Sequence, residues 1–266
     1  MNPSFEKLTQ RMNQANSLLC VGLDSTIEKI PARFQNEPTP QFAFNRWVIE
    51  QTHLYVCAYK PNLAFYEARG DQGWRELKQT MDYLRDQYPD IFTIADAKRA
   101  DIGSTNAGYV TAIFDWLGFD AVTLNPYLGK EALLPFLERT DKTNILLCRT
   151  SNPGAGEFQD LRIGEKTLWQ VVAERVCTEW NTASNCMLVV GATYPAELKQ
   201  VRAMVGEMTL LVPGIGTQGG DVELVLKVGL NENKQGLILN ASRSIIFAAN
   251  PSIEAQNLRD EINQYR

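Results

Sequence analysis

The sequence predicts a single (β/α)8 (TIM) barrel of the α/β class, with residues 1–266 forming one domain. Three observations carry this reading. Eight short apolar, β-branched runs recur along the chain, each leading into polar or glycine-rich residues and then a helical pattern. Several of the runs are apolar on both faces, as strands buried in a parallel sheet must be. Eight such units in 266 residues suit a closed barrel, for which about 250 residues is typical. A doubly wound open sheet shows the same alternation and is the alternative fold.

Taken in order, the first run covers residues 18–24, ends in Asp24 and precedes the amphipathic stretch 41–53. The second, 56–62, contains Lys60 and Asn62 and precedes stretch 74–87. The third, 92–98, ends Asp96-Ala97-Lys98 and leads through Asp101 to stretch 105–117, where Ser104 or Thr105 is expected to cap the helix. The fourth run is 121–126. The fifth, 145–150, passes through Ser151 and a long connection, 152–165, to stretch 166–181. Runs 187–193 and 210–215 are followed by stretches 195–205 and 221–228; the eighth run, 237–242, precedes the closing stretch 254–265. No linker-like or low-complexity segment divides the chain.

Composition narrows the function classes. Hydrophobic residues make up 44% and charged residues 21%, which supports a folded globular chain. A formal charge of −5 without a basic cluster argues against nucleic acid or anionic lipid as a partner. The N-terminal residues lack a basic segment followed by an apolar run, and no stretch approaches a membrane span, so a cytoplasmic location is expected. Cys20, Cys57, Cys148, Cys177 and Cys186 lack zinc-like spacing and read as reduced core residues. The one histidine, His53, lies in an amphipathic stretch and reads as structural, which removes a Ser-His-Asp triad. No Gly-x-Gly-x-x-Gly follows the first run to hold a dinucleotide. The carboxylates Asp24, Asp96 and Asp101 could bind magnesium, but Lys60 and Lys98 compete for their charge, and metal-free chemistry is favoured.

In a barrel, catalytic groups belong at the carboxyl ends of strands. Asp24, Lys60, Asp96, Lys98 and Ser151 all fall there. Side chains alternate along a strand, so Asp96 and Lys98 should share a direction, as should Lys60 and Asn62, while Arg99 should point elsewhere. A solvated salt bridge is the plainer explanation of a charge run, yet a charged pair ending a buried strand is costly without a use. After the seventh and eighth runs come Pro213-Gly214-Ile215-Gly216-Thr217-Gln218 and Asn240-Ala241-Ser242-Arg243. Loops at these two positions often hold phosphate through backbone N–H groups, and an arginine grips two of its oxygens. Turn glycines beside a helix-capping arginine are the bland alternative.

The segment from Ile94 to Thr105 resembles the Asp-x-Lys-x-x-Asp-Ile signature of the orotidine 5'-phosphate decarboxylase family. Asp24, Lys60, Thr150-Ser151-Asn152, Val212-Pro213-Gly214-Ile215-Gly216 with Gln218, and Ser242-Arg243 fall in the family's order over almost the whole chain, in the manner of its longer bacterial branch. The resemblance implies decarboxylation of orotidine 5'-phosphate to uridine 5'-phosphate, the last step of pyrimidine nucleotide synthesis, without cofactor or metal. It implies that Asp96 faces the departing carboxylate and that Lys98 stabilises charge at the pyrimidine C6 and protonates it, within a network of Asp24, Lys60, Asp96 and Asp101. Ser151 and Pro213 would contact substrate, and Gly216, Gln218, Ser242 and Arg243 would hold the phosphate. Asp101, Ile102 and Thr105 would reach the active site of a second subunit in a homodimer. Two alternatives stand beside this: a magnesium-dependent barrel of the hexulose-phosphate synthase or ketogulonate-phosphate decarboxylase kind, and a non-catalytic barrel that binds a phosphorylated ligand.

Overall fold

In the computed structural model, residues 2–215 and 221–266 are described. Eight parallel strands close into a barrel: β1 (Leu19–Gly22), β2 (Ala58–Lys60), β3 (Phe92–Arg99), β4 (Ala121–Leu124), β5 (Thr143–Arg149), β6 (Cys186–Val190), β7 (Leu210–Pro213) and β8 (Leu237–Ala241). Each pairs with its neighbours in chain order, and the ring closes where Cys20 of β1 lies opposite Asn240 of β8. The closed barrel, not the open sheet, is therefore the fold. β1, β4, β6 and β8 are buried at every position, which is why their sequences are apolar without alternation.

The main helices cover the outside: α1 (Pro3–Gln14), α2 (Pro40–Thr52), α3 (Gly70–Gln87), α4 (Gly103–Val110), α5 (Gly129–Leu137), α6 (Leu168–Arg175), α7 (Pro195–Val205), α8 (Val222–Gly229) and α9 (Pro251–Gln264). α3 shows the usual logic, burying Leu77, Thr80, Met81 and Leu84 at helical spacing against the sheet. α1 and α5 were not expected from sequence. Proline at position 135 obscures α5, whereas α1 carries a readable signal in its proline start and the Asn2 cap, whose Oδ1 accepts from the Ser4 and Phe5 backbone amides. The connection 152–165 holds a short helix, Gly156–Gln159, and the start of a two-stranded hairpin, Arg162–Ile163 with Lys166–Thr167.

The expected cap on α4 is not made. Gly103 already opens the helix and Ile102 stands at the cap without a side-chain hydrogen bond, so Ser104 and Thr105 lie inside the first turn. Buried Asn106 orders this entry instead. Its Oδ1 accepts from the Asp101 amide at 3.0 Å, and its Nδ2 donates to the carbonyls of Asp101 and Ala132. His53 sits in a 3-10 turn after α2, where its ring packs on Tyr88 at 4.6 Å and its carbonyl accepts from Arg11. All five cysteines are free and four are buried; burial pushes the thiols of Cys57, Cys148 and Cys186 up to about 12. No helix among the described residues is long and apolar enough to cross a membrane.

Candidate active site

The carboxyl ends of the strands surround a cavity of about 440 Å³. Its floor and walls divide by character. Asp24, Lys60, Asp96 and Lys98 occupy the arc formed by β1 to β3, while Leu147, Val189, Leu211, Pro213 and Ile215 form an apolar arc over β5 to β7. Ser151, Asn152, Asn240, Ser242 and Arg243 complete the rim.

Asp96 is the centre of the charged arc. Lys60 Nζ approaches its Oδ2 at 2.8 Å and Lys98 Nζ its Oδ1 at 2.5 Å. Thr123 Oγ1 donates to Oδ1 at 3.1 Å, and Asn62 Nδ2 to Oδ2 at 3.4 Å. Burial by itself would raise the Asp96 carboxyl, but the two ammonium groups outweigh it and hold the group well below the usual carboxylate range. Burial likewise opposes charge on Lys60, and the carboxylates of Asp96 and Asp24 overcome it, raising the ammonium above the ordinary lysine range. Both therefore stay ionised at neutral pH. The Lys60 and Asp96 side chains are 5% and 12% exposed, whereas that of Lys98 is 49% exposed, so Lys98 is the member of the trio open to a ligand.

The backbone delivers Lys98 in an unusual way. β3 shifts register against β4 between Ala95 and Arg99, and Lys98 has φ +48°, a left-handed conformation rare for a residue with a side chain. The Thr123 hydroxyl secures this bulge by accepting from the amides of Ala97 and Lys98 at 3.0 and 2.9 Å. Asp96 and Lys98 do meet at the cavity, but through a bulge and not through simple strand alternation. Arg99 points away, pairing with Glu67 and lying over the Tyr109 ring at 5.2 Å.

Asp24 lies two residues beyond β1 and accepts from the Asn62 amide at 3.1 Å. It can pack there because residue 22 is glycine: a Cβ at that position would come within 2.8 Å of Ser242 Cβ and 2.9 Å of Asp24 Oδ2. Ser242 Oγ donates to the Gly22 carbonyl at 3.1 Å. Arg243 is exposed beside the cavity, and no ion pair to it occurs among the described residues. Gly191 similarly makes room for Ser151, whose Cβ a side chain there would approach to 2.7 Å. Gly216 and Gln218, two of the expected phosphate contacts, lie outside the described residues.

Asp101, Ile102 and Thr105 do not line this cavity. Asp101 Oδ1 accepts from the Ile102 amide at 2.7 Å, and Ile102 is 63% exposed at the start of α4. Sequence reasoning missed Thr123, Arg149 and Gln159. Arg149, buried at the end of β5, donates to Gln159 Oε1 at 3.2 Å and pairs with Asp160 at 3.1 Å while lying 3.9 Å over the Tyr194 ring. Gln159 in turn bonds the amide and hydroxyl of Thr150, steadying the chain that carries Ser151. Thr123 and Arg149 were detectable as polar residues within apolar runs; Gln159 carries no such signal.

Residues 17–258 match the model of the family described as Orotidine 5'-phosphate decarboxylase / HUMPS. The chain is 49% identical over 247 residues to the orotidine 5'-phosphate decarboxylase of Christiangramia forsetii, covering 93% of this chain and 90% of that protein. It is 44% identical over 271 residues to the protein of the same name from Cellvibrio japonicus, covering 98% of each. The solved structure of Leishmania donovani OMP decarboxylase superposes with a TM-score of 0.88 at 38% identity, covering 99% of this chain and 98% of that one. The chain belongs to the orotidine 5'-phosphate decarboxylase / HUMPS family.

Proposed function

We propose that this barrel decarboxylates orotidine 5'-phosphate to uridine 5'-phosphate and CO2, the step that yields UMP in pyrimidine nucleotide biosynthesis. The observation that carries the chemistry is the Lys60–Asp96–Lys98 array, an ionised carboxylate held between two ammonium groups on the cavity wall. With substrate bound, its carboxylate lies against Asp96 and its C6 faces Lys98. The C6–carboxyl bond breaks, CO2 leaves towards the apolar arc, and the electron pair remains at C6. Lys98 Nζ then gives its proton to C6 and is reprotonated from solvent.

Magnitudes apportion the roles. Two like charges about 4 Å apart at an effective dielectric of about 20 repel by roughly 4 kcal/mol, a factor of about a thousand in rate. Decarboxylation at an unactivated carbon requires more, so stabilisation of the developing negative charge by preorganised Lys98 supplies the larger share. Gly216, Gln218, Ser242 and Arg243 are the proposed phosphate grip, whose binding energy holds the reacting end in place; Asp24, Ser151 and Pro213 are the remaining contacts from this chain. Asp101, half-buried, and exposed Ile102 and Thr105, all outside this cavity, are read as completing the site of a second copy in a homodimer. The whole chain is taken as one domain, and its free thiols suit a reducing cytoplasm.

The test is absorbance-followed conversion of orotidine 5'-phosphate by the wild type and a folded Lys98→Ala variant, both treated with a chelator. Turnover by the wild type and its loss in the variant is the expected result. A well-folded wild type that turns over only when magnesium is restored would move the assignment to the sugar-phosphate branch, and one that binds UMP without any turnover would make it a binding barrel.

A further inference from the structure

We propose that Tyr66, Asn45 and Gln41 are positioning residues, a buried network that aims Asp24 at the bound nucleotide; the inference rests on the decarboxylase reading above, in which Asp24 is a substrate contact. Asp24 lies two residues beyond the end of β1. Both of its neighbours are held from behind the barrel. The Tyr66 hydroxyl, on the short helix Ala64–Glu67, donates to the Leu23 carbonyl at 2.8 Å. The Gln41 amide, in the first turn of α2, donates to the Ser25 carbonyl at 2.8 Å, and the Ser25 hydroxyl donates to Asn45 Oδ1 at 3.3 Å. Asn45 Nδ2 joins the two sides, donating to the Tyr66 phenol oxygen at 2.8 Å and to Thr80 Oγ1 of α3 at 3.1 Å. Behind them Gln41 Oε1 accepts from Arg69 at 2.9 Å, and Arg69 pairs with Glu76 at 2.8 Å.

Ser25, Gln41, Asn45, Tyr66 and Thr80 are all fully buried, on helices whose other inward residues, such as Phe44, Val48 and Leu77, are apolar. Polar groups buried in such a layer cost stability unless each finds a partner, and apolar groups of the same shape can be as stable. What the hydrogen bonds add is direction. Aliphatic side chains tolerate small slides against one another, whereas a satisfied polar network fixes the groups that it bonds. Here the fixed groups belong to residues 23 and 25, one on either side of Asp24. In front, the Asp24 carboxylate accepts from the Asn62 amide at 3.1 Å. Asp24 therefore enters the cavity with its backbone anchored on both flanks and its side chain oriented from β2. A contact residue is effective only when its surroundings hold it to a fraction of an ångström.

The experiment is a double-substitution cycle on the full chain: wild type, Tyr66→Phe, Asp24→Ala and the two combined. Steady-state kinetics with orotidine 5'-phosphate, calorimetric titration with UMP and thermal unfolding are measured on each. Tyr66→Phe removes only the hydroxyl that links Asn45 to Leu23. It is expected to weaken UMP binding and raise KM by about tenfold, with a smaller fall in kcat. In the Asp24→Ala background the same substitution is expected to change UMP affinity by less than about twofold while lowering Tm as before. That loss of coupling marks positioning, because a hydroxyl that only stabilises the fold would act alike in both backgrounds. UMP affinity within about twofold of wild type in Tyr66→Phe or in Asp24→Ala, or equal losses in the two backgrounds, would overturn the proposal. If Tyr66→Phe does not fold, Gln41→Met decides by the same cycle; failure of both to fold would assign the network to stability alone and overturn the proposal likewise. Absence of wild-type turnover would overturn the decarboxylase reading and this inference with it, whereas turnover with additive losses would overturn this inference alone.

Discussion

The left-handed backbone of Lys98 is held by one side chain: the Thr123 hydroxyl accepts the amides of Ala97 and Lys98 and donates to Asp96. A strained conformation of this kind costs on the order of 1–3 kcal/mol and persists only when its surroundings impose it. Thr123→Val keeps the shape and removes all three bonds. We expect kcat to fall by about 10- to 100-fold with a smaller change in UMP affinity, because the loss is in aim and not in contact area; unchanged kcat would refute this role. The charges of the neighbouring pair set a second expectation. Asp96 has its carboxyl depressed, so its contribution to stability is present above the ordinary carboxylate range and is lost as pH falls through the lower folded value. Lys60 is raised, so its contribution is present below the ordinary lysine range and is lost only as pH rises through the higher folded value. The pair should therefore support stability evenly between about pH 5 and pH 9. In thermal melts, the deficit of Asp96→Asn relative to wild type should stay constant across that window and shrink below about pH 4.

The end of β5 and the connection after it act as a unit. Arg149 is buried beneath the chain that carries Thr150, Ser151 and Gln159, and its guanidinium joins Gln159 and Asp160 while covering Tyr194. Arg149→Met keeps much of the apolar stem and removes the bonds. KM is expected to rise about tenfold with a smaller fall in kcat, since the substituted group holds a binding loop and lies outside the reacting centre; equal loss of both, or neither, would contradict that. Elements of this kind explain where sequence reading was sound and where it fell short. Strands were visible because a buried parallel strand must be apolar, and α2, α3, α7 and α8 because one face of each is apolar at helical spacing. The cap of α4 was misplaced because Asn106 Oδ1, reaching back five residues, bonds the Asp101 amide at its entry. The Lys98 bulge was unforeseeable from alternation, because the partner that stabilises it lies 25 positions away on β4.

At the scale of the molecule, barrel closure brings β1 beside β8 and so places Asp24 near Ser242, while the pairing of β2 with β3 puts Lys60 within reach of Asp96. Asp101, Ile102 and Thr105 stay outside the cavity at the head of α4, Asp101 half-buried and the other two exposed. If a second copy uses them, Lys98→Ala and Asp101→Ala should each be inactive alone yet complement when mixed. Random exchange would give about half heterodimers, each with one complete site, and so roughly a quarter of wild-type activity. No recovery after verified subunit exchange would show that Asp101 does not act across an interface.

The sequence by itself determined the α/β alternation, the eight strands and the Asp96, Lys98 and Asp101 spacing, because hydrophobic periodicity and a short polar motif are properties of neighbours along the chain. Tertiary structure alone decided that Lys60, 36 positions earlier, grips Asp96, and that Thr123 sets the direction of Lys98. It also decided that Asp101 stays outside that cavity while its motif partners enter. These depend on how segments distant in sequence are brought into register by parallel strand pairing and on one left-handed residue, geometry that arises only once the long-range contacts form.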